Sequence, residues 1–385
     1  MNKVTEPQVS IILPCLNEEK SLGFCLEEII NTISKRKLNA EILIVDNNSS
    51  DNTLKIAESY KKKFDYIKII TEKNIGYGSS CLRGLNEATG KILFLADADF
   101  SYNFKEIDKF IKEIGSGKDF VVGNRFKKGI KKEVMPWHHK YIGNPFLSFL
   151  VKLLFKVEIG DIHCGARAIR KNSFKKLVLY TSGMEFASEM VIKAAKEKLK
   201  ISEVSIEYRP RIGESKLHSI PDGWRHLRFI LLYSPLFLFL LPGILMLTIG
   251  LILLLTFYFL EPIFFGVQFY MHPMFLFAIM TIVGYQLIIF SGFAKIYAIT
   301  HLGDKDKIIE NLFKKITLEK TGIAGILSTL IGITIYVLIF IRWINSDFSS
   351  LNETKSMIIA LVLTVIGIQT FFSAFMFSIL GIKEK

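Results

Sequence analysis

The second half of this chain is built from long apolar runs, and this feature most constrains its fold. Nearly all of the charge lies before about Leu227, and the apolar stretches begin after Phe229. A helix needs roughly 20 mostly apolar residues to cross a bilayer. Four stretches are long enough, at about Leu236–Leu260, Phe275–Ile299, Ile323–Ile344 and Met357–Leu380. The sequence therefore predicts an all-α transmembrane domain of about four spans over residues 236–385.

The loops between these spans carry most of their positive charge on one side. The loop 301–321 contains five lysines, whereas Glu261–Pro273 contains no Lys or Arg and the loop after Trp343 contains only Lys355. Lysine and arginine collect in the cytoplasmic loops of membrane proteins. This asymmetry predicts a multi-pass membrane protein whose first domain, middle loop and C-terminal tail are cytoplasmic.

The formal net charge of +13 is explained by a membrane and does not require a nucleic acid. Basic segments collect next to anionic lipid surfaces. The sequence has no Arg-rich recognition helix and no zinc-finger spacing, so nucleic acid is excluded as a partner. The four cysteines are scattered without a CxxC pair, which indicates reduced thiols in a cytoplasmic domain.

The first 125 or so residues alternate short apolar runs with amphipathic segments. This pattern predicts an α/β domain with a mostly parallel, Rossmann-like sheet over residues 1–220. The predicted strands are Val9–Leu13, Glu41–Val45, Ile67–Ile70, Ile92–Ala96 and Phe120–Val122, and the predicted helices are Ser21–Lys37, Asn52–Phe64, Ser79–Ala88 and Phe104–Ile114. Functional side chains are expected at the carboxyl ends of such strands.

Two further segments are amphipathic and aromatic but too short to span a bilayer. They are Met135–Lys156 and Asp222–Tyr233. We interpret the first as an interfacial helix, with a buried core helix as the alternative. The second predicts an interfacial amphipathic helix over residues 221–235 that leads into the first span.

The predicted strand ends carry matching polar residues. Asp97 and Asp99 follow the fourth strand, and carboxylates at this spacing can both face a divalent cation, although acidic pairs also cap helices. Glu18 and Asp46 follow the first and second strands, where a base and a ribose would need polar partners. Together these positions favour a nucleotide crevice over helix capping.

Other candidate motifs are weaker. The segment that contains Gly76 and Gly78 lacks the third glycine of a dinucleotide fingerprint, so we expect these glycines to let the backbone approach a nucleotide. No Walker A sequence is present, which argues against an ATPase. Asp161 is either a secondary active-site carboxylate or a turn residue. His163 is interpreted as a histidine with satisfied hydrogen bonds rather than a metal ligand.

Taken together, the motifs resemble those of the family 2 glycosyltransferases, and within them the polyprenyl-phosphate hexose synthases. The resemblance covers roughly Val9 to Pro242. It is carried by P-x-L-N-E at Pro14–Glu18, V-D-N-N-S-x-D-x-T at Val45–Thr53, N-x-G-x-G at Asn74–Gly78, D-A-D at Asp97–Asp99, G-N-R at Gly123–Arg125 and E-S-K at Glu214–Lys216.

This resemblance implies a GT-A fold and inverting transfer of a hexose from a nucleotide sugar of the UDP-glucose or GDP-mannose class to a polyprenyl phosphate. It implies Mg²⁺ or Mn²⁺ as the cofactor, bound by Asp97 and Asp99. The other implied positions are Pro14, Leu16, Glu18 and Asp46 for the nucleotide, Arg125, Lys140 and Asn144 for the acceptor phosphate, and Arg211, Ser215 and Lys216 for a loop over the diphosphate.

The chain departs from the family pattern at Ser101, where mannosyl relatives often carry a Gln that helps to bind metal. A Q-x-x-R-W sequence, typical of processive synthases, is absent, so chain polymerisation is not expected. Two alternatives remain open. The acceptor is another lipid, such as a glycolipid or a lipid-linked oligosaccharide, or the chain is a non-catalytic lipid-phosphate-binding partner of a flippase. Membrane lipids, and a homo-oligomer, are partners that the sequence allows.

Overall fold

A computed structural model of the chain describes residues 7–130, 134–213, 219–260, 262–264, 267–301 and 318–381. The first half contains one sheet of seven strands. In chain order the strands are β1 Val9–Cys15, β2 Ala40–Asp46, β3 Ile67–Thr71, β4 Ile92–Leu95, β5 Phe120–Asn124, β6 Arg167–Arg170 and β7 Ile201–Ser205. Their order in the sheet is β3-β2-β1-β4-β6-β5-β7. Only β6 runs antiparallel to its neighbours, β4 and β5.

The helices of this half follow the predicted alternation closely. They are α1 Leu22–Arg36, α2 Thr53–Lys61, α3 Tyr77–Glu87, α4 Ile107–Gly115, α5 Asn144–Phe155, α6 Lys171–Phe174, α7 Phe186–Lys196 and α8 Ser219–Leu232. A short 3-10 turn, Phe104–Glu106, precedes α4, and one turn of π-helix, His139–Gly143, precedes α5. The α/β class and the mostly parallel sheet are confirmed.

The register of the sheet brings the polar strand ends together. Cys15, at the end of β1, lies opposite Asp46 at the end of β2, and Ile12 lies opposite Leu95 at the end of β4. Both β1 and β2 are almost wholly buried, as expected for strands in the centre of a parallel sheet. The residues that follow these three strands therefore share one edge of the sheet.

Helix α3 lies unusually close to this sheet because of Gly84. A Cβ atom at this position would be 2.4 Å from Cγ2 of Ile12 and 2.8 Å from Cγ2 of Val45. Any larger residue would have to push α3 away from β1 and β2. The close packing holds the amino end of α3, at Tyr77, beside the strand ends.

In its described residues, the second half contains four helices long and apolar enough to cross a membrane. They are α9 Leu241–Phe259, extended by one π-helical turn at Leu236–Leu240, then α10 His272–His301, α11 Leu318–Asn345 and α12 Thr354–Leu380. The four predicted spans are confirmed within these helices. A two-stranded hairpin, β8 Ile263–Phe264 and β9 Val267–Gln268, lies between α9 and α10.

Small residues set the distances between these helices. A Cβ on Gly284 of α10 would lie 2.3 Å from the backbone nitrogen of Leu247 in α9. A Cβ on Gly325 of α11 or on Gly367 of α12 would lie 2.7 Å from the carbonyl oxygen of the other glycine. Such contacts let helix backbones approach in a bilayer, where packing rather than the hydrophobic effect drives association.

The chain divides into two compact units, residues 1–230 and 231–385. Helix α8 spans this division. Within the first unit, α5 exposes an apolar stripe formed by Ile142 just before the helix and by Phe146, Phe149 and Leu153. The opposite face of α5 is buried through Leu147, Ser148, Leu150 and Val151.

Candidate active site

Acidic residues lie at the ends of β1 and β2, on the sheet edge that these strands share. We call the region at this edge the crevice. Asp46 ends β2 and is 4% exposed, and Glu18 follows β1 and is also buried. Oδ2 of Asp46 accepts from the Ser49 backbone at 3.3 Å, whereas its Oδ1 is buried without a hydrogen-bond partner among the described residues. A buried acceptor without a partner costs free energy, so a bound group with a donor would stabilise this site.

Asp97 and Asp99 follow β4, and their hydrogen bonds differ. Oδ1 of Asp97 accepts from the Tyr77 hydroxyl at 2.9 Å. Oδ1 of Asp99 accepts from the backbone and the hydroxyl of Ser101. Burial and the nearby charge of Asp99 raise the pKa of Asp97 to about 6. Two neighbouring carboxylates, Asp99 buried and Asp97 half-buried, favour a bound cation, which would offset their mutual repulsion.

The acidic pair fits a divalent metal only together with a substrate. Among the described residues, no group of three or more His, Cys, Asp or Glu side chains could hold a metal ion. Asp97 and Asp99 each engage Oδ1 in a hydrogen bond, which leaves Oδ2 of each carboxylate outside those bonds. Mg²⁺ is typically bound by one or two carboxylates plus substrate phosphates and water. The donor set is therefore compatible with that arrangement.

Arg211 lies close to two acidic residues of the crevice, Asp99 and Glu18. Its Nη2 is 3.6 Å from Oδ2 of Asp99 and 3.9 Å from Oε1 of Glu18. The backbone of this segment is tied to the strand end, since Ile212 donates to the Asp99 carbonyl at 2.9 Å. Nε of Arg211 is buried without a hydrogen-bond partner in the described part of the chain. Ser215 and Lys216, predicted for the same loop, lie outside the described residues.

Close packing inside the protein accounts for the two glycines in the turn before α3. Gly76 has a φ of 144°, and a Cβ there would be 2.2 Å from the Ser182 carbonyl oxygen. Gly78 donates to that carbonyl at 2.8 Å. The Cβ direction of both glycines is thus occupied by the segment around Ser182, and the predicted contact of Gly76 with a nucleotide stays a prediction. The carboxylate of Glu189 fixes this segment by accepting from the backbone of Tyr180 and Thr181.

Arg125, which follows β5, is paired with Asp161. Nε and Nη2 of the guanidinium donate to the two carboxylate oxygens at 2.7 and 2.8 Å, and both side chains are almost fully buried. The guanidinium also lies 5.1 Å from the centre of the Tyr208 ring. Asp161 is therefore the partner of Arg125 and not a simple turn residue. The Nη1 nitrogen of Arg125 takes no part in these two hydrogen bonds to Asp161.

The remaining predicted residues make local contacts. Nζ of Lys140 donates to the Ile130 carbonyl at 2.7 Å, and Nδ2 of Asn144 lies 3.5 Å from the Met135 sulfur. Pro14 lies within β1 opposite Val45, and Leu16 follows directly after the strand. The structure thus brings Glu18, Asp99 and Arg211 into contact, and Arg125 and Asp161 into contact. Lys140 and Asn144 bond within their own segment.

Three residues of the crevice were not predicted. Tyr77 holds Asp97, although it lies 20 positions earlier in the chain. Gly165 approaches the same carboxylate, since a Cβ there would be 2.4 Å from Oδ2 of Asp97. Arg167 is 1% exposed, and its charge partly offsets the rise that burial and Asp99 cause in the pKa of Asp97. A tyrosine between two glycines and a glycine after a cysteine give no local signal for these contacts.

Comparisons with known proteins agree with this architecture. Residues 10–178 match the family described as Glycosyl transferase family 2, and residues 292–381 match the Glycosyltransferase family 2 C-terminal transmembrane region. The low-salt glycan biosynthesis hexosyltransferase Agl6 of Haloferax volcanii is 31% identical over 376 residues, covering 97% of this chain and 89% of that protein.

Two further proteins match a little over half of the chain. The dolichol-phosphate mannosyltransferase of Pyrococcus furiosus is 32% identical over 211 residues, covering 54% of this chain and 59% of that protein. A crystal structure of glucosyl-3-phosphoglycerate synthase from Mycobacterium tuberculosis in complex with Mn²⁺, uridine diphosphate and glucosyl-3-phosphoglycerate has a TM-score of 0.46 at 17% identity, covering 59% of this chain and 80% of that chain. The extent of the match to the Haloferax protein, with both family matches, shows that the chain belongs to glycosyltransferase family 2 and is an integral membrane enzyme.

Proposed function

We propose that this enzyme transfers a hexose, with inversion, from a nucleotide sugar to a polyprenyl phosphate at the cytoplasmic leaflet. The observation that carries the proposal is the charge arrangement of the crevice. The carboxylates of Asp97 and Asp99 lie among the arginines Arg125, Arg167 and Arg211, which suits a reaction between two phosphate-bearing substrates. The names of the Haloferax hexosyltransferase and the Pyrococcus dolichol-phosphate mannosyltransferase support the hexose and the lipid phosphate.

We assign the binding site of the nucleotide sugar to the carboxyl ends of β1 and β2. The partnerless Oδ1 of Asp46 suits a donor on the base or ribose of the nucleotide, with Glu18, Pro14 and Leu16 beside it. The partnerless Nε of Arg211 suits a diphosphate oxygen, because a guanidinium binds phosphate through several N–H groups. Ser215 and Lys216 are proposed for the same diphosphate loop. Gly76 stays proposed for the nucleotide, through the backbone of its turn.

Asp97 and Asp99 are the proposed ligands of a divalent metal. When bound, Mg²⁺ or Mn²⁺ would supply charge stabilisation for the leaving diphosphate. The chain's own part is to keep both carboxylates in place. The Tyr77 hydroxyl fixes Asp97, and Ser101 fixes Asp99. Ser101 thus has a defined contact at the position where mannosyl relatives often carry Gln.

We assign the binding site of the acceptor phosphate to the region around Arg125 and Asp161. A phosphate monoester has a second pKa of about 6, so a lipid phosphate is largely dianionic at neutral pH and needs no strong base. The task of the protein is then to hold two anionic substrates together by positioning and by positive charge. Asp161 sets the direction of Arg125, and Lys140 and Asn144 lie on the neighbouring segment. A hydroxyl on another lipid is the alternative acceptor.

The placement at the membrane is part of the same proposal. The distribution of lysines supports a cytoplasmic catalytic unit. The exposed stripe of Ile142, Phe146, Phe149 and Leu153 supports an interfacial position for α5, and α8 leads from the first unit into the second. A lipid phosphate at the membrane surface would then be within reach of the catalytic unit.

One assay tests this proposed function. The purified full chain in lipid nanodiscs is given radiolabelled UDP- and GDP-sugars in turn, with Mg²⁺ or Mn²⁺ and a polyprenyl phosphate. We expect one hexose donor to label the lipid, and mass spectrometry to show one hexose per lipid phosphate. If no donor labels the lipid while a glycolipid or a lipid-linked oligosaccharide is labelled, the acceptor proposed here is wrong.

A further inference from the structure

His163 lies midway along the segment that joins the two halves of the crevice. The segment begins at Asp161, which holds Arg125, and ends at Gly165, which packs against Asp97. Arg125 and Arg167 are close enough to His163 to lower its pKa. His163 is therefore two residues from the partner of Arg125 and two residues from the glycine that packs against Asp97.

The ring of His163 is held from one side by a buried polar cluster. The Ser188 hydroxyl lies 3.3 Å from Nε2 of His163 and 2.8 Å from Nδ1 of His226. The two imidazole rings meet edge to face, with their centres 4.3 Å apart. Ser188 comes from α7 and His226 from α8, so both helices fix the direction in which His163 points.

The other nitrogen of this ring has no partner in the described part of the chain. Nδ1 of His163 is buried without a hydrogen bond. The three residues proposed for the acceptor phosphate are already engaged, Arg125 by Asp161, Lys140 by a carbonyl and Asn144 by a sulfur. Buried polar atoms without a partner are rare and call for an explanation, such as a ligand that binds there.

Ser188 allows the neutral ring to carry its proton on the partnerless nitrogen. The hydroxyl has one proton, which it can donate to His163 or to His226. When Ser188 donates to Nε2 of His163, the proton of that ring lies on Nδ1. The nitrogen of His163 that has no partner in the described part of the chain then carries a neutral N–H donor.

We propose that His163 binds the acceptor by donating from Nδ1 to its phosphate group, with Ser188 and His226 orienting the ring. This assignment rests on the proposed function. Burial, with the nearby charges of His226, Arg125 and Arg167, holds the pKa of His163 well below its usual range. So weak a base is poorly suited to deprotonating an alcohol, which argues against a general-base role toward a hydroxyl acceptor.

Two variants of His163 separate phosphate binding from ring support. The amide of Asn can occupy the place of Nδ1, and the longer amide of Gln can occupy the place of Nε2. His163→Asn therefore keeps the donor toward the phosphate, and His163→Gln keeps only the contact with Ser188. Binding of farnesyl phosphate and of farnesol to the full chain in nanodiscs is measured by calorimetry, together with binding of the nucleotide that the wild type prefers.

We expect the wild type to bind farnesyl phosphate more tightly than farnesol. His163→Gln should weaken farnesyl phosphate binding by about 10- to 100-fold, the usual effect of losing a hydrogen bond to a charged group, and His163→Asn should stay within about threefold of the wild type. Nucleotide affinity should stay unchanged in both. The reverse order, with Gln tolerated and Asn damaging, would assign His163 a structural role and overturn the proposal.

The wild type provides the control for the function itself. If it binds farnesol as tightly as farnesyl phosphate, the lipid-phosphate acceptor is wrong, and the His163 assignment fails with it. If it prefers the phosphate and His163→Gln keeps that preference, only the His163 assignment fails. Ser188→Ala is a milder second variant, which should weaken farnesyl phosphate binding severalfold by releasing the ring. Unchanged binding in Ser188→Ala would contradict the orienting role of Ser188.

Discussion

At the scale of single residues, the carboxylate pair after β4 makes a direct prediction. Asp97→Asn keeps the size of the side chain and a hydrogen bond to Tyr77, but it removes one of the two charges proposed to hold the metal. We expect turnover to fall about 1,000-fold or more, because several kcal/mol of transition-state stabilisation are lost. The protein should still fold. Turnover at saturating donor and metal is the measurement. Near-wild-type turnover would show that Asp97 holds no metal.

Arg125 gives a second prediction at this scale. Arg125→Lys keeps the positive charge but cannot reproduce the two-pronged pairing with Asp161. We expect the acceptor KM to rise or kcat to fall by at least about 10-fold, because a misplaced group costs more than a weakened contact. Nucleotide-sugar affinity should not change. Weakened donor binding with unchanged acceptor kinetics would instead place Arg125 at the diphosphate.

Part of the site could be predicted from residue order and part could not. Asp97, Asp99 and Asp46 follow apolar strands, so their position at one sheet edge follows from the parallel fold alone. The pairing of Arg125 with Asp161 joins positions 36 residues apart, and the contact of Tyr77 with Asp97 joins two segments. Such contacts depend on how loops pack, which local periodicity does not record.

At the scale of elements, the buried strands were the easiest to predict. The ends of β1 to β4 lie within about two residues of expectation, because continuous apolar runs mark central parallel strands. Strands β6 and β7 were missed. Strand β6 has arginine at both ends, and β7 is a half-exposed edge strand with a polar sequence. Neither has the apolar run that identified the others.

The glycine contacts between α11 and α12 make the prediction at this scale. A Cβ on Gly325 would lie 2.6 Å from the Phe371 nitrogen, whereas a Cβ on Gly322 would meet its nearest atom at 3.8 Å. Gly325→Ala should therefore destabilise the protein by about 1–3 kcal/mol, as overpacking does. Gly322→Ala, one helical turn away, is the matched control and should be tolerated. Thermal unfolding of the full chain in detergent distinguishes the two, and equal effects would contradict the close helix crossing.

At the scale of the whole molecule, the order of the spans predicts a topology. In the part of the chain that the structure describes, three helices long enough to span a membrane, α9, α10 and α11, lie between the first unit and the turn before α12. The four natural cysteines are buried, so single cysteines introduced at the exposed positions Lys62 and Ser349 can be labelled selectively. In inverted membrane vesicles, Lys62→Cys should react with an impermeant maleimide and Ser349→Cys should not. Reaction of both from the same side would contradict an odd number of crossings between them.

The central claim is that the acceptor is a lipid phosphate, and one comparison tests it most directly. The full chain in nanodiscs is given its active nucleotide sugar with either polyprenyl phosphate or the free polyprenol of the same chain length. General base catalysis contributes about 100-fold or more to reactions that need it, and no strong base is assigned on the acceptor side. We therefore expect kcat/KM for the phosphate to exceed that for the alcohol by at least about 100-fold. Equal transfer to the two lipids would contradict the account.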